Sequence, residues 1–320
     1  MQKNLVEIEI SIIVPLYNES KNLDLLSDKL VSVLNRLNVS YEIIYINDGS
    51  TDNSYEKLVE IHQKNRSFKI VNFSRNFGKE IALTAGIDYA NGSAVIPIDA
   101  DLQDPPELIG QLIDKWREGY DVVYATRRSR KGETWLKKTT AKAFYYTVAK
   151  LIRINIPANT GDFRLLDRRV VNALKRMPEK SRFMKGLFSW VGYKQTSILF
   201  DRDPRHLGKT SWNYWKLWNF ALNGIISFSS LPLKIWSYVG FVISFISLIY
   251  ASFLVIRTLR YGIDVPGYAS LMVAILFMGG IQLITLGIFG EYLSRLYEEA
   301  KGRPLYLVRE EMGFNNDSDS

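Results

Sequence analysis

Cysteine is absent from the 320 residues and histidine occurs only as His62 and His206. Disulfides, thiolate or His-rich zinc sites and a cysteine nucleophile are therefore excluded, and any metal is expected to sit on oxygen ligands. The amino terminus, Met1-Gln-Lys-Asn-Leu-Val-Glu-Ile-Glu-Ile, lacks the apolar core of a signal peptide. Acids stand where that core would be, so the N-terminal half is expected to stay in the cytoplasm. Acidic residues are in deficit, 33 against 41 basic ones for a net charge of +8. A positive excess suits nucleic acid, an anionic membrane surface or a phosphorylated substrate, and the position of the charges must decide. They cluster beside apolar segments rather than on a soluble face, which argues against nucleic acid.

What is present changes along the chain. From Glu9 to Thr126, β-branched runs alternate with helical patterns: Ile10-Ser-Ile-Ile-Val, Tyr41-Glu-Ile-Ile-Tyr-Ile, Phe68-Lys-Ile-Val-Asn-Phe, Ala94-Val-Ile-Pro-Ile and Asp121-Val-Val-Tyr-Ala. These read as five buried strands. Leu23, Leu26, Leu30, Val33, Leu34 and Leu37 recur at helical spacing behind Ser20, a candidate N-cap. Further helices fit residues 53–64, 78–90 and 106–118. Alternation of this kind predicts an α/β fold, a Rossmann-like, mostly parallel sheet with helices on both faces and ligands beyond the carboxyl ends of the strands. Residues 127–211 read as helices and loops completing a cleft, so residues 1–211 form one domain.

Trp212, Trp215, Trp218, Leu222 and Ile225, with Lys216 among them, suit an amphipathic helix in a membrane interface, within a region placed at 212–234. Ile235–Ile256 is a run of 22 uncharged residues and Tyr268–Gly290 another of 23. Both are long enough to span a bilayer, whereas such runs are rare in soluble cores. The eleven residues between them force a hairpin over 235–290 with both flanks on one side. Lys216, Lys234, Arg295, Lys301, Arg303 and Arg309 flank it, against Arg257 and Arg260 in its loop. This bias predicts a multi-pass protein of the inner (plasma) membrane with both termini cytoplasmic. Gly279, Gly280, Gly287 and Gly290 would let the second span approach its partner or a neighbouring subunit, so a homo-oligomer is expected. Residues 291–320 form a cytoplasmic C-terminal segment with a disordered end.

The polar motifs fall at strand ends. Pro15-Leu-Tyr-Asn-Glu19 follows the first strand and Asn47-Asp-Gly-Ser-Thr-Asp52 the second, where carboxylates accept hydrogen bonds from a ribose; Asp48-Gly49 alone is more often a turn signal than a site. Asp99-Ala-Asp101, then Gln103 and Asp104, follow the fourth. At a strand end a turn lets two such carboxylates approach one hard cation, Mg²⁺ or Mn²⁺ bridging diphosphate oxygens.

In series, these motifs resemble the family 2 glycosyltransferases with the GT-A fold. More narrowly, Ser74-Arg-Asn-Phe-Gly-Lys79, Asp99-Ala-Asp-Leu-Gln-Asp-Pro-Pro106, Gly161-Asp-Phe-Arg164 and Arg205-x-x-Gly-Lys-Thr-Ser211 resemble the polyisoprenyl-phosphate glycosyltransferases. The resemblance implies Pro15, Tyr17, Glu19 and Asp48 around the nucleoside, Asp101 on the metal, and Asp99 on the donor or metal. It further implies Gln103 and Asp104 on the sugar side and Asp162 near the acceptor as proposed base. No Gln-x-x-Arg-Trp segment of the processive synthases is present. Arg205, Lys209 and Ser211, with Arg127 and Arg130, suit a clamp on the acceptor phosphate; a patch attracted to anionic lipid is the plainer alternative.

The expected activity is inverting transfer of one sugar, glucose from UDP-glucose, to a polyprenyl phosphate such as undecaprenyl phosphate on the cytoplasmic membrane face. GDP-mannose or another UDP-sugar is the nearer alternative, and an inactive membrane-tethered nucleotide-binding protein the more distant one.

Overall fold

The computed structural model describes residues 8–128, 160–180, 182–200, 231–262 and 267–314. In chain order the elements are β1 (Ile10–Leu16), α1 (Leu23–Leu37), β2 (Tyr41–Asn47), α2 (Ser54–Lys64), β3 (Phe68–Phe73), α3 (Lys79–Tyr89), β4 (Ala94–Pro97), a 3-10 turn (Pro106–Leu108) and α4 (Ile109–Arg117). There follow β5 (Val122–Arg127), β6 (Thr160–Asp167), α5 (Arg168–Lys175), α6 (Met184–Trp190), β7 (Gln195–Phe200), α7 (Leu231–Tyr261), α8 (Tyr268–Ala300) and β8 (Val308–Met312). The five strands and four helices expected before residue 128 are all present.

One eight-stranded sheet runs in the order β7-β5-β6-β4-β1-β2-β3-β8. Pairings of β1 with β2 and β4, of β2 with β3 and of β5 with β7 are parallel. β6 is antiparallel to both of its neighbours, and β8 runs antiparallel along β3. Ile12, Val14, Ile43, Tyr45 and Ile70 on one face bury against the leucines of α1, Leu58 of α2 and Leu112 of α4. α3 packs on the opposite face so closely that a Cβ on Gly86 would come within 2.9 Å of the Ile13 side chain. Apolar strands thus become a two-sided core of β-branched residues and leucines, with Tyr45 and Phe68 buried among them.

Three expectations need correction. Residues 127–211 hold two strands of the main sheet, β6 and β7, beside their helices. β6 interleaves Asp162 and the buried Arg164 with Phe163 and Leu165, and those charged residues hide the strand from a hydrophobicity pattern. Ser20 does not cap α1: Asn22 stands at the cap position with no side-chain bond to the helix amides, and the Ser20 N–H donates to Asp52 Oδ2 at 3.3 Å. The C-terminal segment expected over residues 291–320 is divided, because residues 291–300 continue α8 and β8 closes the β3 edge of the sheet. Residues 315–320, expected to be disordered, lie outside the described residues.

The chain divides into two compact units, one taking the described residues up to Phe200 and from Pro304 on, the other α7 and α8. α7 and α8 run past the limits read from the apolar stretches, to Tyr261 and Ala300. Helix hydrogen bonding does not stop where apolar residues do, and the last turns of α8 carry the ion pair Arg295–Glu291 at 3.3 Å. Within Val273–Ala300 the chain is long and apolar enough to cross a membrane, with none of that window buried; Lys234–Tyr250 is a shorter apolar stretch. A Cβ on Gly279, Gly280, Gly287 or Gly290 would meet nothing within 4 Å, so these glycines do not seat α8 against α7 among the described residues. The 212–230 part of the expected interfacial region lies outside the described residues, and Leu231–Lys234 belong to α7.

Candidate active site

β1 has β2 on one side and β4 on the other, so the connections leave the sheet in opposite directions there and a crevice opens beyond the carboxyl ends. It is a cleft of about 350 Å³ lined by Pro15 near the end of β1, Tyr17 and Glu19 after it, Asp48 after β2, Gly78 and Lys79 at the start of α3, and Asp99 and Asp101 after β4. Because β6 is reversed, its first residues lie at the same edge as the carboxyl end of β5, with Thr126 beside Thr160. That reversal brings Asp162 to the β4 loop across a long stretch of sequence.

The side of the cleft next to β1 and β2 is built from braced loops. Asn18, at φ 56°, accepts from the Thr51 N–H at 2.8 Å, and its own N–H donates to Ser50 Oγ at 2.9 Å. Asn22 Nδ2 donates to Glu19 Oε2 at 2.6 Å. Asp48 is only 3% exposed and accepts from the N–H groups of Phe77 and Gly78 at 2.7 and 2.9 Å. Burial pushes its carboxyl up, and the two amides and Arg75 oppose that rise. Asp48 thus borders the cleft while also tying the loop before α3 to β2. Gly49 has φ +65°, and a Cβ there would fall 2.3 Å from the Arg75 carbonyl carbon, so only glycine fits.

At the acidic end, Asp101 Oδ1 accepts from the Gln103 N–H at 3.2 Å. Leu102 takes φ 60° and turns the chain inward, leaving Gln103 and Asp104 only 7% and 2% exposed and outside the cleft lining. Lys79 Nζ lies 2.6 Å from Asp99 Oδ1 and 2.8 Å from Asp162 Oδ2. Burial would lower the ammonium's pKa, but Asp99 and Asp162 together raise it well above the ordinary lysine value. Burial likewise pushes the Asp162 carboxyl up, yet Lys79, Lys185 and Arg164 outweigh it and hold it below the usual carboxylate range. Arg164 is buried, stacks on the Phe188 ring at 4.1 Å and donates to the Gly161 carbonyl at 2.8 Å.

Glu80, beside this cluster, accepts from the Met184 N–H at 3.0 Å. Burial, and then the charge of Asp162, push its carboxyl up to about 7. A folded-state pKa above the unfolded one means that stability is lost as pH rises from about 4.5 to about 7. Glu80→Gln should keep the accepted hydrogen bond and remove that loss. Thermal unfolding in detergent at about pH 5 and about pH 8 tests it: a flatter pH dependence in the variant is expected, and an equal slope in both proteins contradicts it.

Sequence reasoning gave no role to Lys79, Glu80, Arg164 or Lys185; only the first and third lay inside quoted motifs. The Arg127 backbone ends β5, while Arg130, Arg205, Lys209 and Ser211 lie outside the described residues. As for metal, no group of three His, Asp or Glu side chains that could hold one exists among the described residues. Asp99 and Asp101 offer two hard-oxygen side chains on one cleft wall, which fits a Mg²⁺-type ion that takes its remaining ligands from phosphate and water.

Residues 11–175 match the family described as glycosyl transferase family 2, and residues 231–296 match the GtrB C-terminal hairpin. A glycosyltransferase of Synechocystis is 66% identical over 306 residues, 96% of either chain. The prophage bactoprenol glucosyl transferase homolog of Escherichia coli is 44% identical over 302 residues, 94% of this chain and 99% of that one. The bactoprenol glucosyl transferase of Shigella phage SfV is 44% identical over 304 residues, 95% and 99%. Among solved structures, glucosyl-3-phosphoglycerate synthase from Mycobacterium tuberculosis superposes with a TM-score of 0.46 at 16% identity, over 69% of this chain and 79% of that one. With a GT-A-like mixed sheet, an acidic cleft at its switch point and identity of this extent over nearly the whole length, the chain belongs to glycosyl transferase family 2.

Proposed function

We propose that this glycosyltransferase moves one glucosyl residue from UDP-glucose to a polyprenyl phosphate, such as undecaprenyl phosphate, at the cytoplasmic face of the membrane. The observation that carries this reading is a cleft lined by Asp99 and Asp101 whose Lys79 ties Asp99 to Asp162, in a chain 44% identical over 95% of its length to a bactoprenol glucosyl transferase. Matching the hairpin family over residues 231–296 supports two membrane passes by α7 and α8, with the flanking basic residues inside. Association of copies along the open glycines of α8 belongs to the same proposal.

The reaction is a single displacement. An oxygen of the acceptor phosphate forms a bond to the anomeric carbon while the bond to the donor diphosphate breaks, its electron pair leaving with UDP. Pro15, Tyr17, Glu19 and Asp48 line the nucleoside end of the cleft. Asp101 and Asp99 would hold Mg²⁺ or Mn²⁺, which when bound supplies charge stabilisation to the diphosphate. Asp162, held ionised by three cations, is a weak base. The acceptor needs none, because a phosphate monoester has a second pKa of about 6 and is mostly dianionic at neutral pH. Asp162 therefore orients cations and acceptor.

Incubating the purified protein in detergent with undecaprenyl phosphate, Mg²⁺ and labelled UDP-glucose, GDP-mannose and other UDP-sugars tests the donor. Label should enter the lipid fraction from UDP-glucose; preferential transfer from another donor overturns that assignment. The phosphate clamp is tested separately. Arg205→Ala should raise the acceptor KM about tenfold or more in micelles free of anionic lipid, with donor binding unchanged. Unchanged acceptor kinetics would mark Arg205 as part of a lipid-attracted patch, and weakened donor binding would place it on the nucleotide side.

A further inference from the structure

Lys79 holds two carboxylates with different tasks in the proposed reaction. Its Nζ lies 2.6 Å and 2.8 Å from the two oxygens of Asp99 and 2.8 Å from Asp162 Oδ2. Asp162 has further cations about it in Lys185 and Arg164, and it keeps a buried Oδ1 that meets no partner among the described residues. Asp99 is engaged on both oxygens by Lys79. A carboxylate so engaged is not available to a divalent cation until the ammonium moves, because two cations on the same oxygens repel. Lys79 is able to move. It is the first residue of α3, its side chain is 49% exposed, and its charge sits on a flexible four-carbon stem at the cleft wall.

We infer that Lys79 is an exchangeable counter-ion: it competes with the divalent cation for Asp99 and, once displaced, pairs with the donor diphosphate while staying within reach of Asp162. This rests on the donor assignment above. As the anomeric bond breaks, the electron pair settles on a diphosphate oxygen, and an ammonium beside that oxygen stabilises the charge where it develops. Lys79 then serves two ligands with opposite signs. It weakens metal binding on its own and strengthens binding of metal with diphosphate.

Full-length protein in detergent, with Lys79→Met and Lys79→Arg, separates these effects by calorimetry with MnCl₂ alone, with Mn²⁺ and UDP, and with Mn²⁺ and UMP. Lys79→Met should bind Mn²⁺ alone about tenfold more tightly and UDP about tenfold or more weakly, with UMP changed by less than about threefold. Lys79→Arg should stay near wild type for Mn²⁺ and recover part of the UDP affinity. Unchanged or weaker Mn²⁺ binding by Lys79→Met overturns the competition, and unchanged UDP affinity overturns the pairing with diphosphate. Wild type that binds Mn²⁺ but neither nucleotide would instead refute the donor assignment, and the Mn²⁺ comparison still decides whether Lys79 competes. Should Lys79→Met fail to fold because Asp99 and Asp162 repel, the double variant with Asp162→Asn relieves that repulsion, and the same two signs are expected.

Discussion

Asp101→Ala is expected to lower turnover by about a thousandfold or more. It removes a hard-oxygen side chain from the wall where the diphosphate charge must be compensated, and a loss of about 4 kcal/mol of transition-state stabilisation corresponds to that factor. The effect should be specific. Asp101 makes a local bond to the Gln103 N–H at the surface of the β4 loop and belongs to no packed core, so the melting temperature should change little. Excess chelator should silence the wild-type enzyme to a similar degree. Normal rates in chelator, or an Asp101→Ala enzyme within a few-fold of wild type, would remove the metal from the mechanism.

Ending the chain at Arg303 is expected to have the largest effect on stability. The lost segment supplies β8 along β3, and the Tyr306 ring stacked on Phe73 at 5.0 Å between centroids. It also supplies the Leu307 carbonyl that accepts from the Ser74 N–H at 2.9 Å, and the Glu311 carboxylate that accepts from Tyr89 at 2.8 Å. Lost backbone pairing and buried area of this size amount to about 3–4 kcal/mol, which lowers the melting temperature by about 10 °C in a domain of this length. Donor binding should weaken as well. Ser74 opens the loop whose Phe77 and Gly78 amides are held by Asp48, so its release loosens one wall of the cleft. An unchanged melting curve would show that β8 adds nothing to the sheet. The consequence for any shortened form is direct: a chain ended before α7 exposes the β3 edge and loses these contacts, so residues 304–314 belong with the first domain.

The first five strands and the four helices among them were legible because local and global preferences agree in them. Ile10, Ile12 and Val14 are β-branched and lie wholly in the core, and the α1 leucines repeat at helical spacing. β6 was not legible, since Asp162 finds its counter-charge in Lys79 of α3 and Arg164 its ring in Phe188 of α6 only once those helices are in place. Nor was β8, whose Val-Arg-Glu-Glu-Met run stays largely exposed and is fixed by pairing along β3 and by Tyr55 and Tyr89 donating to Glu310 and Glu311. The acidic residues after β4 were found from their place at a strand end. What the pattern could not supply was direction: the left-handed Leu102 turns Gln103 and Asp104 inward, and Lys79 reaches Asp162 only because β6 runs backwards in the sheet.

The product made by purified enzyme from UDP-α-glucose and undecaprenyl phosphate bears most directly on the central claim. Mass spectrometry of the lipid fraction and the anomeric proton coupling in NMR report how many sugars are attached and with which configuration. A single displacement at one cleft predicts one hexose, β-linked to phosphate. An α-linked product, more than one hexose on the lipid, or glucose released to water with no lipid-linked product would contradict it.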